Sequence, residues 1–101
     1  MNIYRHGDVL LKQIKVLPEN KKELKDKTLA YGEVTGHSHR FEDPAQIKRY
    51  AVDGKTYLEV LNTGTLIHEE HKPLIIEKGI YEQIAEREYD PFIESARTVI
   101  D

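Results

Sequence analysis

Four histidines fall in two short tetrads. One is His37-Ser38-His39-Arg40, preceded by Gly36, and the other is His68-Glu69-Glu70-His71. Neutral imidazole is the commonest protein metal ligand, and its ordinary pKa lies near neutrality. Two such pairs that converge could hold a divalent metal or run acid–base chemistry. On a strand, residues i and i+2 share a face, so His37 and His39 would project together as a bidentate pair for Zn, Fe, Mn or Ni. Glu42 or Asp43 could add a carboxylate or accept a hydrogen bond from a ligand. If the second tetrad is extended, it shows one His and one Glu on each face, so either His68 or His71 would join the pair. In one helical turn His68 and His71 would lie together, but Pro73 disfavours a continuing helix. Their spacing of three is not the i, i+4 pattern of helical zinc proteases. Glu69 or Glu70 is then the candidate ligand or general base.

Two further patches stand beside the tetrads. Arg87 and Tyr89, two apart on one strand face, could orient a small anionic substrate through the guanidinium fork. Their bland alternative is an Arg–Glu pair with an edge tyrosine. His6, in Tyr4-Arg5-His6-Gly7-Asp8, reads as a surface or strand-edge histidine.

The elements that must position these groups are strands. Asp8–Val16 partly alternates and reads as one. Leu17-Pro18-Glu19-Asn20 ends it, and 21–27 is a solvated loop or a single helical turn. Thr28–Val34 is a second strand, and Phe41 continues the run that carries His37 and His39. Ile47–Val52 and Lys55–Leu61 flank Asp53-Gly54, the strongest hairpin signal in the chain, suited to a type I′ turn. Thr65–Ile67, Pro73–Ile76 and Ile80–Tyr89 follow, and the tail from Phe92 is a last strand or a short helix. About eight short strands at these spacings predict an all-β fold, a small antiparallel barrel or sandwich. With 101 residues, a single β domain over 1–101 is the expectation.

Composition narrows the function. A formal charge of −3 argues against a general nucleic-acid binder. The absence of cysteine removes disulfides and thiolate ligands and suits a cytoplasmic setting. No apolar run is long enough for a signal peptide or a membrane span, so no membrane partner is expected.

Together, Tyr4–Leu11, Gly32–His39, His68–Pro73, Gly79–Tyr81 and Arg87–Pro91 resemble a family of small uncharacterised proteins of bacteria, archaea and their viruses. Glu86 departs from the glutamine that the resemblance puts before Arg87. The resemblance supplies no activity, but it covers nearly the whole chain and reinforces a histidine site. A weaker likeness is to cupins, small β-barrels that hold a metal through His-x-His, a following Glu and a later His. His37, His39, Glu42 and His68 or His71 have that order, with a shorter gap before the Glu. The functional expectation is a divalent-metal site of His37, His39, His68 and His71, used for metal-assisted hydrolysis or small-molecule chemistry. The alternative is a non-enzymatic module that binds a ligand or protein, with structural histidines and a homo-oligomer formed through a strand edge.

Overall fold

The computed structural model describes residues 2–31, 36–85 and 98–100. Eleven strands run in chain order: β1 (Asn2–His6), β2 (Val9–Ile14), β3 (Lys22–Leu24), β4 (Ala30–Tyr31), β5 (Ser38–Phe41), β6 (Ile47–Val52), β7 (Lys55–Val60), β8 (Gly64–Ile67), β9 (Leu74–Ile76), β10 (Gly79–Ala85) and β11 (Thr98–Ile100). They form a seven-stranded sheet, β11-β1-β2-β10-β7-β6-β3, and a four-stranded sheet, β4-β5-β8-β9. The all-β expectation holds in its two-sheet form. Pairing is antiparallel except between β1 and β11. Among the described residues neither sheet closes into a barrel.

The hairpin at Asp53-Gly54 has the type I′ form, with φ of 50° and 79° at its two central residues. β1, by contrast, lies in a stretch without an obvious strand signal. Its partner β2 supplies the reason it forms. His6 pairs with Val9 across a two-residue turn in which Gly7 has φ of 62°. Glycine at the first central position favours a type II′ connection, which matches the twist of the flanking strands. Residues 22–24 are also a strand rather than a helical turn, laid on the edge of β6. Residues 80–85 belong to β10, which pairs with both β2 and β7.

Residues from both sheets share one core. Tyr4, Val9, Leu11, Leu58, Val60 and Tyr81 come from the large sheet, and Phe41, Leu66 and Ile76 from the small one. Burial of these side chains is the main favourable term in folding. Tyr81 is fully buried, and its hydroxyl is satisfied by donating to the Glu77 carbonyl at 2.7 Å. Two bonds tie the small sheet's edge to the rest. The Leu29 N–H donates to the His39 carbonyl at 2.8 Å, and Gln83 Nε2 donates to the Leu29 carbonyl at 2.7 Å. Arg49 is buried and donates to the Asp26 carbonyl.

Phe41 packs directly on Gly64, where an added Cβ would meet the ring at 2.7 Å. Gly64→Ala is therefore expected to cost ~1–3 kcal/mol by overpacking. A chemical melt should show it, and an unchanged midpoint would mean that the β5–β8 contact is looser than described.

Candidate metal centre

All five histidines of the chain gather in one place. Three segments deliver them. The end of β1 brings His6, the start of β5 brings His37 and His39, and the bend after β8 brings His68 and His71. Ring centroids are 4.9 Å apart for His6–His39, 4.4 Å for His39–His68, 4.7 Å for His68–His71 and 5.7 Å for His37–His68. Two three-residue groups could hold a metal ion: His39, His68 and His71, and, sharing His68, His37, His68 and Glu69.

Two expectations about orientation change. His37 lies just before β5 rather than within it, so the i, i+2 rule does not govern the pair. His37 and His39 fall in different groups, with His68 common to both. Residues 68–71 are not a strand either. They form a bend, so the rings of both His68 and His71 turn toward His39.

His6 is not the surface or strand-edge residue that its local sequence suggests. It is buried, with 4% of its surface exposed. Its Nδ1 lies 2.9 Å from His39 Nδ1, and its Nε2 lies 2.9 Å from the Lys72 carbonyl oxygen. The missed signal was the Gly7-Asp8 turn. A hairpin there makes Asn2–His6 a strand, and alternation along it turns His6 inward with Tyr4.

The acidic neighbours divide in role. Glu69 has both oxygens engaged: Oε1 accepts from the Ser38 N–H at 2.9 Å, and Oε2 meets Arg40 Nη2 at 2.7 Å. Arg40 and the Ser38 amide hold its carboxyl down at about 2. It thus ties the 68–71 bend to β5. Glu70 is exposed, with Oε2 3.8 Å from His37 Nδ1. Among the described residues that ring nitrogen is buried and has no hydrogen-bond partner, a costly condition that a cation would relieve. Asp43 caps a short 3-10 turn by accepting from the Ala45 N–H at 3.0 Å, and Glu42 adjoins it beyond the far end of β5. Arg87 and Tyr89 lie outside the described residues.

His68 is less ready to bind than His39. Its Nδ1 accepts from the Glu70 N–H at 3.0 Å, so a neutral ring carries its proton on Nε2. Ligation through Nδ1 must displace that bond, a cost of ~1 kcal/mol. Beside the cluster lies an open cleft of ≈ 180 Å³ lined by His6, Gly7, His71, Lys72 and Pro73.

The sequence profile of a family described as a domain of unknown function (DUF8820) matches residues 5–86. The chain belongs to this family. Every histidine of the cluster falls inside the matched region of this DUF8820 chain. No curated protein and no solved structure matches it. Among the described residues of the DUF8820 chain, no helix is long and apolar enough to cross a membrane.

Burial and the neighbouring rings of His68 and His6 lower the His39 pKa from 6.5 to about 4, so His39 is neutral at pH 7 and offers a lone pair. In the unfolded chain it titrates near the ordinary value. Above that value both states are neutral and the stability is fully present. As the pH falls below 6.5, the unfolded chain binds a proton that the fold refuses, and the loss is complete near pH 4. The metal-free protein is expected to lose ~3 kcal/mol across this window. A His39→Gln variant should show a shallower slope in urea melts across the same window. Equal slopes would mean that His39 titrates normally in the fold.

Proposed function

We propose that this protein binds one divalent metal in its histidine cluster and uses it in metal-assisted chemistry on a small molecule. The observation that carries this reading is the gathering of every histidine from three separated segments, with His39 neutral and buried at the centre. Packing several imidazoles together is unfavourable if they charge and gains little if they stay neutral. A metal converts the arrangement into a favourable one, because it needs several neutral nitrogen donors at once. His39 and His71 are the better-prepared ligands, and His68 joins after releasing its amide. With no thiolate available, the donor set suits Zn, Fe, Mn or Ni.

When bound, such an ion would lower the pKa of a water molecule and supply a nucleophile near neutral pH, which favours hydrolysis among the reaction classes. Glu70, exposed beside His37, is the carboxylate best placed to act as a base. A small anionic molecule is the substrate class, since the adjoining cleft is lined by Lys72.

The test is metal content by plasma mass spectrometry on the untagged chain after incubation with Zn, Mn, Fe and Ni, beside His39→Ala and His71→Ala. Near-stoichiometric metal in the parent and its loss in both variants is the expected result. No metal in the parent would leave the histidines as structural hydrogen-bonding groups, in a module that binds a ligand or protein without chemistry.

A further inference from the structure

We infer that Asp8 is a ligand of this metal and that His6 is the positioning residue that aims His39 at it; the inference rests on the metal reading above. A carbonyl oxygen only accepts, so the 2.9 Å contact of the Lys72 carbonyl with His6 Nε2 requires the hydrogen on that nitrogen. A neutral His6 then has only a lone pair at Nδ1. The 2.9 Å contact between His6 Nδ1 and His39 Nδ1 therefore takes its hydrogen from His39. A neutral His39 with its hydrogen on Nδ1 bears its lone pair on Nε2.

Asp8 Oδ1 stands 3.4 Å from that same Nε2. With His6 neutral, a lone pair and a carboxylate oxygen thus stand together with no hydrogen between them. That placement is unfavourable unless a cation or a water bridges them. The separation itself is informative. Two ligand atoms each about 2.0–2.2 Å from one ion, at a tetrahedral angle, lie about 3.3–3.6 Å apart. The Asp8–His39 spacing falls in that range.

The intervening residue fits the same assignment. A Cβ at Gly7 would come within 2.7 Å of His71 Nε2 and 2.9 Å of His39 Cε1. The His6-Gly7-Asp8 turn thus supplies three things in consecutive residues: the support for one ligand, the room for two rings, and a carboxylate. A ligating imidazole whose other nitrogen donates to a fixed acceptor is the usual arrangement at metal sites; here the acceptor is His6, fixed in turn by the Lys72 carbonyl. Asp8 is 79% exposed on its side chain, so the ion would keep a face open to water and substrate.

The test is a titration of the full chain with zinc and with cobalt(II) at neutral pH. It compares the parent with Asp8→Asn, His6→Gln and Asp53→Asn, the last a control carboxylate in the β6–β7 turn. Asp8→Asn should bind zinc more than ~100-fold less tightly and change the cobalt absorption spectrum, because a bonded ligand matters more than a supporting group worth about 10–100-fold. His6→Gln should weaken binding ~10–100-fold, and Asp53→Asn should match the parent. The metal-free melt of Asp8→Asn should be unchanged, which separates ligation from folding. If the parent binds and Asp8→Asn binds equally with the same cobalt spectrum, Asp8 is not a ligand and the metal reading survives. If His6→Gln folds and binds like the parent, the positioning role is overturned. If the parent binds neither ion, the metal reading fails and takes this inference with it.

Discussion

Zinc at about 100 times its dissociation constant is expected to stabilise the parent chain by ~2.7 kcal/mol, and to leave His39→Ala where it was. For a domain of this length that increment corresponds to a rise of roughly 10–20 °C in the unfolding midpoint. The effect is large because a preformed site does not exist in the unfolded chain, so binding free energy appears as folding free energy. The candidate ligands His39, His68 and His71 come from separated segments, and only the fold brings them together. His39→Ala also removes a buried ring, so its baseline melt should be lower for reasons of packing. The zinc-dependent increment, rather than the baseline, is therefore the quantity to compare. His71→Ala removes a more exposed ring and should lose the increment with less damage to the metal-free protein. A variant that still gains the full increment would place the ion elsewhere.

Gly7→Ala is expected to cost ~2–5 kcal/mol in the metal-free protein and to weaken zinc binding as well. Two terms add. The residue sits at φ of 62°, where a Cβ costs ~1–2 kcal/mol. The new atom would also push into His71 and His39, the rings best prepared to ligate. Overpacking of that kind costs ~1–3 kcal/mol when neighbours must move. Gly54→Ala separates the terms, because Gly54 has φ of 79° and open space where a Cβ would go. It should show the backbone cost alone and bind zinc like the parent. Equal behaviour of the two variants would show that the turn does not press on the cluster.

Local patterns were legible without coordinates. Asp53-Gly54 between two β-rich runs specified its hairpin, because positive φ at two successive residues is a local steric property. The strand at 80–85 was also readable from its sequence, and it forms part of β10. The histidine tetrads marked the residues to watch, since their chemistry is a property of residue type, and all five histidines of the chain gather in the fold. The Gly7-Asp8 turn carried the same kind of signal as Asp53-Gly54. The strand before it, β1, is only five residues long, so neither the strand nor the inward turn of His6 shows as a local pattern.

The tertiary structure decided which groups meet. His6 and His39 are 33 residues apart, and His6 and the Lys72 carbonyl are 66 apart. Neither separation leaves a periodic trace, because strand order and sheet packing, rather than local spacing, set those distances. The same holds for Glu69. As a residue type it is an equally good ligand, base or tie, and only its contacts with Arg40 and the Ser38 amide make it the tie. The surroundings of the His39 ring are likewise set from outside. Sequence supplies an imidazole with two equivalent nitrogens, and only the fold sets its Nδ1 2.9 Å from His6 Nδ1, with His6 Nε2 2.9 Å from the Lys72 carbonyl oxygen. Residue types determined what chemistry is available here. The packing of three distant segments determined which of those groups meet.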